Sequence, residues 1–439
     1  MATTAKIGTY RYRILAMLVY ATTINYFDRS IIGVMAPTLE RIFNWSNDDY
    51  ANIMIAFKIA YAIGMLTMGS IIDKLGTKKG YTLAISIWSI FGMLHAAVRP
   101  AFSVIGFAAA RFGLGFGESG HFPAAQKTVA EWFPKKDRAF ATGLYNAATS
   151  IGAIAAPFVV SAIVVESTGE NWQLPFLITG ILSSIWVFLW LKVYKKPNEH
   201  PHVTKEELDY IHSDEESKIE VGKPQQKLKW SKVLPKRQTW AFAAAKITDA
   251  VWWFYLFWGA KFLADKFDVN LKNIGIPFLI MYLLADGGSI LGGWISGAFM
   301  NRGWSTNKAR KMTMLMCAII ILPVAYVAIT DNKWLAVVLI GIGAAGHQAW
   351  SANIFTLVSD VFPKKAVASV TGIGGMVGAV AGILGDKALG KVLDSSGNTG
   401  YFWAFLIAGF CYLIVLGVVH LLMPKMIPLD DDLNPIHDN

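Results

Sequence analysis

The sequence is short of charge and almost empty of cysteine. Charged residues make up 16% of its 439 residues, against about 25% in an ordinary soluble domain. Hydrophobic residues reach 54%, and mean hydropathy is +0.43. A soluble enzyme is excluded by that balance. The only cysteines, Cys317 and Cys411, lie in apolar stretches where a thiol behaves as a small hydrophobe, so no disulfide framework is expected. Histidine is also sparse, and its eight copies are scattered rather than set at ligand spacing. Neither a metal site nor a cofactor is therefore expected. Acids are outnumbered, 30 against 40 lysines and arginines, giving a formal charge of +10. In a soluble chain that excess would suggest nucleic acid. Here the basic residues gather in alternate loops, where the membrane accounts for them, and no nucleic-acid partner is expected.

What the sequence has in quantity is long apolar runs. Aromatic residues reach 13%, with 16 tryptophans. Apolar blocks of about twenty residues alternate with short polar breaks, the length that crosses a ~30 Å hydrocarbon core at ~1.5 Å per residue. Spans are predicted near 12–34, 50–72, 80–98, 101–124, 138–165, 172–194, 238–260, 274–298, 310–329, 333–358, 366–389 and 401–423. The chain therefore reads as an all-α membrane protein with twelve transmembrane helices. Lys6, Arg11 and Arg13 precede a first block that is too long for a signal-peptide core and lacks a small-residue cleavage site, so it is expected to stay as a helix.

One long polar connection divides the chain. The expected organisation is a six-helix bundle over 1–195, a central loop over 196–237, and a second six-helix bundle with a short tail over 238–439. Within the loop, Thr204-Lys205-Glu206-Glu207 has capping-box spacing ahead of Leu208 and Ile211, which predicts a short surface helix. Basic residues fall on one side: the N-terminus, Lys74/Lys78/Lys79, Lys135/Lys136/Arg138, the central loop, Arg302/Lys308/Arg310/Lys311 and Lys364/Lys365. That side is expected to be cytoplasmic, with both termini on it.

The two halves repeat. A shift of 229 residues lays Glu131-Trp132-Phe133-Pro134-Lys135-Lys136 over Asp360-Val361-Phe362-Pro363-Lys364-Lys365, and Ala139, Thr142 and Gly143 over Ala368, Thr371 and Gly372. A shift of 228 lays Gly69, Asp73 and Lys74 over Gly297, Asn301 and Arg302. Parallel repeats of this kind place one central site between two bundles that rock about it.

Gly69-x-x-x-Asp73-Lys74-x-Gly76-x-Lys78-Lys79 resembles the signature loop of the major facilitator superfamily, and Arg111 with Gly115 resembles that superfamily's second motif. The resemblance runs along essentially the whole chain. Four stretches are similar to the anion:cation symporter branch, most closely bacterial hexuronate transporters. They are Ile24-Asn25-Tyr26-Phe27-Asp28-Arg29, the run from Arg111 through Glu118 to Gly120, the run Glu131 to Lys136, and His347-Gln348-Ala349-Trp350-Ser351-Ala352-Asn353. The resemblance implies a multi-pass protein of the bacterial inner membrane that acts as a monomer. It would take up galacturonate or glucuronate with protons as co-substrate, without catalysing a reaction.

Charge inside the bilayer costs roughly 2.5–3.5 kcal/mol on insertion scales, so the charged residues within the blocks face a cavity or one another. On helix 1, Asn25 and Arg29 share a face, with Asp28 adjacent. On helix 4, Arg111 and Glu118 are seven apart and stack along one face. A guanidinium fork suits a carboxylate, which makes Arg29 and Arg111 the expected anion binders. Glu118 is the expected proton carrier, with Asp28 as second candidate. Tyr26, Tyr61, Asn25, Gln348, Trp350 and Ser351 are expected around the sugar, with aromatic faces against its ring and polar atoms at its hydroxyls. Lys58, Lys246, Asp249, Lys261, Asp286 and Asp386 fit no pattern; Lys246 and Asp249, three apart, are expected to pair.

Two features mislead. Gly115-x-Gly117-x-x-Gly120 and Gly341-x-Gly343-x-x-Gly346 are literal dinucleotide fingerprints, but neither follows a strand. Gly113-x-x-x-Gly117 is better read as a close helix contact. Asn44-Trp45-Ser46 matches a glycosylation sequon with nothing else to support it. The rival readings are the same fold carrying an aldonate or aromatic acid, or exchanging anions. A membrane-embedded enzyme would need a clustered reactive set, which is not expected from these scattered histidines and acids, and a sensor an added soluble domain, which the central loop is not expected to supply.

Gly69, Asp73, Lys74, Gly76 and Lys78 are expected to latch the outward-open state, since Asp73 can cap or pair with a cytoplasmic helix end while Lys78 and Lys79 lie against the anionic leaflet. Asp73→Asn should then slow transport while leaving equilibrium affinity within a few-fold, because the residue biases conformations rather than touching substrate. Turnover and equilibrium binding measured on the same preparation check this.

Overall fold

In hydrocarbon every backbone N–H and C=O must be satisfied within the protein, and a continuous helix does this for each apolar block on its own. The computed structural model describes residues 8–213 and 230–436. Lys6 and the central-loop residues Asp214, Glu215, Glu216 and Lys223 lie outside the described residues. Among the described residues there is no strand, only two isolated bridges. The helices are α1 (Tyr10–Phe43), α2 (Asn47–Leu94), α3 (Ser103–Glu118), α4 (His121–Trp132), α5 (Lys135–Ile163), α6 (Leu174–Val193), α7 (Lys205–Ile211), α8 (Trp230–Val233), α9 (Arg237–Lys246), α10 (Asp249–Phe267), α11 (Gly275–Asn301), α12 (Thr306–Ile321), α13 (Lys333–Val361), α14 (Lys364–Ser396) and α15 (Thr399–Leu422).

These elements account for twelve crossings. The expected second and third spans run on as α2 without an open loop. The whole segment Asn47–Ala97 has 51 residues, more than twice the ~20 that one crossing needs. The break falls at Gly76, with φ 76° and ψ 161°, backbone that a residue with a Cβ scarcely adopts. The fourth span is split into α3 and α4 at Ser119–Gly120, and the seventh into α9 and α10 at Ile247–Thr248. Helix α1 outruns its predicted end at 34 by more than two turns, because its last polar turns find partners: Glu40 meets Lys261 and Arg41 donates to the Glu166 carbonyl.

The repeat is visible in the backbone. Pro134 caps α5 at φ −61°, ψ 155°, and Pro363, its counterpart, caps α14 at φ −63°, ψ 150°. The preceding Phe133 and Phe362 close their helices with N–H bonds to Val129 and Val358, again 229 residues apart. The repeated spacing is thus a shared helix–proline–helix corner, in which proline's fixed φ starts the new helix and ends the old one.

Contacts group the chain into two compact units. Unit 1 comprises Met1–Ile31, Ile59–Val165 and Glu170–Pro224; unit 2 comprises Ile32–Lys58, Glu166–Gly169 and Gln225–Asn439. In unit 1 the core is aromatic. Trp186 and Trp190 stack at 4.9 Å, Trp190 and Tyr194 at 4.3 Å, and Tyr81 packs on both tryptophans. Their polar edges are used as well: Trp186 donates to the Met17 carbonyl and Trp88 to Ser183 Oγ. A Cβ at Gly113 would overlap the Phe91 ring and one at Gly117 the Trp88 backbone, so the small-residue stripe is a close helix contact, as its spacing predicts. The short helix expected in the central loop is present as α7. Thr204 caps it through Glu207 N, while the buried Glu207 carboxylate accepts from Arg11 N at 3.0 Å and so caps α1.

In unit 2, α13 packs against α11 and α12, and a Cβ at Gly288 or Gly292 would meet the α13 backbone. The turns Ile32–Phe43 of α1 and Asn47–Lys58 of α2 belong to this unit. Gly33 lies under the Leu256 carbonyl, and Tyr50 donates to the Phe257 carbonyl at 2.6 Å.

No atom lies within 4 Å of a Cβ built at Gly76 or at Gly69, so any cost of alanine at Gly76 is conformational. Gly76→Ala should destabilise the protein by about 1–3 kcal/mol, whereas Gly69→Ala, within a helix, should be neutral or slightly stabilising. Thermal unfolding of the two variants in detergent gives the comparison.

Candidate functional site

The first element of the site is set by helix periodicity. Asn25 and Arg29, one turn apart on α1, point the same way, and Arg29 Nη2 donates to Asn25 Oδ1 at 3.3 Å. Opposite them α3 ends at Glu118, where the chain breaks at Ser119 and Gly120, whose N–H groups return to the Gly115 and Gly117 carbonyls. That break fixes Glu118 at a helix terminus inside unit 1, with no exposure to solvent. Arg29 donates from Nε at 2.9 Å and from Nη2 at 2.7 Å to the same oxygen, Glu118 Oε2.

Two aromatic rings complete the setting. The guanidinium carbon of Arg29 lies 4.8 Å from the Tyr26 ring centre and 5.0 Å from that of Tyr61, close enough for cation–π attraction. Glu118 Oε1 and Asn25 Nδ2 are both buried and have no hydrogen-bond partner among the described residues. One is an acceptor and the other a donor, so the site offers a place for a proton and a donor for an incoming oxygen.

The structure therefore brings Asn25, Tyr26, Arg29, Tyr61 and Glu118 together. Arg111, on the same helix as Glu118, is fully buried. Asp28 is buried on a different face of α1 from Arg29. Its Oδ2 accepts from Ser183 Oγ at 3.5 Å, and Oδ1 borders Gly92. The carboxylate that meets Arg29 is thus Glu118, from another helix, rather than its chain neighbour.

Within unit 2, Trp350 is fully buried. Its indole N–H is directed at the Ala245 carbonyl at 3.5 Å, and its ring packs edge-on against Tyr412. Gln348 and Ser351 on the same helix are half-buried. Lys246 and Asp249 pair, as their spacing predicts. One turn before the break at Gly76, Asp73 Oδ1 receives Lys127 Nζ of α4 at 2.8 Å. Lys78 contributes its carbonyl to Trp190 Nε1, and Gly69 lies in open space. Glu131, the acid of the repeated corner, holds Thr77 at 2.6 Å and Tyr194, while its counterpart Asp360 holds Arg310 at 2.9 Å.

Two buried groups have partners that the sequence does not signal. His121 Nε2 lies 2.9 Å from Thr22 Oγ1, and its Nδ1 lies 2.8 Å from Tyr81 OH. Thr22 gives its proton to the Leu18 carbonyl, so the imidazole donates from Nε2 and accepts from Tyr81 at Nδ1. The pair Lys58–Asp386 joins residues 328 positions apart. Each residue is legible as a charge in an apolar block, but not as the partner of the other.

A model of the Major Facilitator Superfamily matches residues 18–385. The chain is similar to the hexuronate transporter of Escherichia coli (strain K12), with 35% identity over 401 residues, 90% of this chain and 91% of that protein. It is also similar to the galacturonate transporter of Dickeya chrysanthemi, with 32% identity over 336 residues, 76% of this chain and 95% of that one. Among solved structures, a bacterial homolog to the human lysosomal transporter Spinster, in an inward-facing and unoccupied conformation, aligns with a TM-score of 0.76. Its identity is 18%, over 96% of this chain and 98% of that chain.

The geometry of Arg29 makes its replacement informative. Two donors of one guanidinium edge converge on one oxygen, which an ammonium cannot reproduce from the same backbone position. Arg29→Lys should weaken binding of an organic anion by about tenfold or more, equivalent to ~1.4 kcal/mol, although the charge is kept. Equilibrium binding of a labelled substrate to the purified variant measures it, and near-normal affinity would exclude a fork-shaped site.

Proposed function

The chain belongs to the major facilitator superfamily and is an organic-anion transporter of the inner membrane rather than an enzyme, and from that premise we propose that it carries a sugar-acid anion. The substrate in this reading is a hexuronate such as galacturonate or glucuronate. It enters the cell with a proton by alternating access of two six-helix bundles. The names of the similar proteins support the substrate class.

One observation carries the coupling. Glu118 occupies the Nε–Nη2 edge of Arg29 through Oε2 while Oε1 stays without a partner. A substrate carboxylate needs that same edge, because a bidentate pair is the strong arrangement for guanidinium. While Glu118 is ionised the two carboxylates compete for one cation. Removing one member of a buried ion pair costs about 3–5 kcal/mol because the other charge is left unpaired. A proton on Oε1 neutralises Glu118, and the guanidinium then takes the substrate in its place. Loss of that proton on the cytoplasmic side lets Glu118 reclaim Arg29 and displace the anion. Substrate and proton are thereby bound together and released together. Asn25 Nδ2 donates to the arriving anion, and the Tyr26 and Tyr61 rings hold Arg29 in place. Arg111 is a second cation on the Glu118 helix, and Asp28 a second acid on the Arg29 helix.

Uptake of labelled galacturonate, gluconate and a neutral hexose into vesicles under an imposed pH gradient tests substrate and coupling together. Glu118→Gln isolates the proton, since glutamine keeps the shape of the protonated acid but releases nothing. The variant should still exchange labelled for unlabelled substrate across the membrane, while a pH gradient should no longer drive accumulation. Proton-driven accumulation intact in Glu118→Gln would move the proton to Asp28 or another acid and leave Glu118 a structural partner of Arg29.

A further inference from the structure

A second buried ion pair stands in unit 2, outside the site described above. Lys58 of α2 and Asp386 of α14 are 2% and 4% exposed, and Lys58 Nζ lies 2.6 Å from Asp386 Oδ2. The ammonium also reaches the Gly382 carbonyl at 3.3 Å and lies near the Trp253 and Phe257 rings of α10. Asp386 Oδ1 accepts from Trp258 Nε1 at 3.2 Å. At ~1.5 Å per residue, Asp386 lies ~33 Å along α14 from Lys364 and Lys58 lies ~24 Å before Lys74. The pair therefore sits in the half of the molecule remote from the basic loops.

Among the other ties between Ile32–Lys58 and the rest of unit 2 are three that involve carboxylates. Lys261 of α10 meets Glu40 at 2.6 Å and Asp265 at 3.1 Å. Lys387 of α14 meets Asp48 at 2.6 Å and Asn52 at 2.9 Å. Asp394 of α14 receives Asn47 N, Asn47 Nδ2 and Asp48 N at 2.7–2.9 Å, and so caps α2. Asp48 and Lys387 are about one-third exposed, and partners of that kind exchange for water at little cost. Lys58 and Asp386 differ because both are desolvated, and separating them strands two charges. Apolar side chains of similar volume usually serve stability as well as a buried pair does, so cohesion alone does not account for charge at these two positions.

We propose that Asp386 is a protonation site that unlocks this half of the protein. The outer turns of α1 and α2 separate from α10 and α14 when a proton replaces Lys58 on Asp386. The proton moves from hydronium in the water that enters between the helices to Asp386 Oδ2. Lys58 leaves with α2, keeps its charge and becomes hydrated. Trp258 stays on Oδ1, since α10 and α14 are not parted from each other. Reclosure reverses the exchange and returns the proton to water. The groups on the neighbouring elements that could answer to pH in its place are Glu40 on α1, Asp48 on α2, Lys261 and Asp265 on α10, and Lys387 and Asp394 on α14. The inference rests on the alternating-access reading but not on the identity of the substrate.

The test is a distance measurement on the full chain in lipid nanodiscs without substrate. Spin labels are placed at Ser46 and Ser396, both exposed, in a background carrying Cys317→Ala and Cys411→Ala. One linked proton shifts the open-to-closed ratio by at most tenfold per pH unit. The fraction at long distance should therefore rise about fivefold or more between about pH 8 and about pH 5. Asp386→Asn, a mimic of the protonated acid, should show the long distance at every pH. The double variant Lys58→Met/Asp386→Leu, which removes both charges together and is expected to fold even where Asp386→Asn does not, should lose the pH response. A wild-type pH response retained in either variant, or no pH response in the parent, would overturn the proposal. Because no substrate is present, failure here is distinguishable from failure of galacturonate uptake, which would overturn the sugar-acid reading alone.

Discussion

A charge within the hydrocarbon must be paired, and the pair that follows from this constraint at Arg29 and Glu118 organises the site. Arg29 is held by Glu118 from α3, by Asn25 one turn away and by the faces of two tyrosines. The contact with Glu118 depends on α3 stopping there and the chain bending at Ser119 and Gly120, whereas the contact with Asn25 follows from the helical turn of α1. The backbone break and the ion pair therefore form one arrangement. In the function proposed above, the edge of the guanidinium that closes the pair is also the edge a substrate carboxylate takes, which turns a structural bond into a competition.

Backbone corners recur where the sequence repeats. Pro134 and Pro363 start their helices at nearly the same φ and ψ, and an acid three residues before each proline holds a neighbouring segment: Glu131 on Thr77 and Tyr194, Asp360 on Arg310. The partner types differ while the geometry of the corner is retained. Proline fixes the corner through its own ring, whereas the acid needs only some donor within reach.

Helix packing then fixes which surfaces can approach. Glycines at 113 and 117 bring α3 against the second half of α2, and those at 288 and 292 bring α11 against α13. The large aromatic residues fill what remains, with indole N–H groups turned to carbonyls or hydroxyls. The buried indoles of Trp88, Trp186 and Trp350 are tolerated because each is directed at an acceptor. The buried pairs Arg29–Glu118 and Lys58–Asp386 link helices distant in the sequence.

The sequence by itself determined the number of crossings, the repeat, the polar residues that must find partners in the bilayer and the helical spacing of Asn25 and Arg29. All of these follow from local quantities: hydropathy over about twenty residues, a fixed 3.6-residue turn and proline's fixed φ. The pairing of Lys246 with Asp249 was legible from their three-residue separation, and it survives the helix break at Ile247–Thr248 that falls between them. Only the tertiary structure decided that Arg29 meets Glu118 while Asp28 turns to Ser183, since adjacent residues on a helix point about 100° apart and do not face each other. It alone joined Lys58 to Asp386, put His121 between Thr22 and Tyr81, and made Glu207 the cap of α1. Partners of that kind lie on different helices, and which helices become neighbours is settled by the packing of whole faces, which no local window of residues contains.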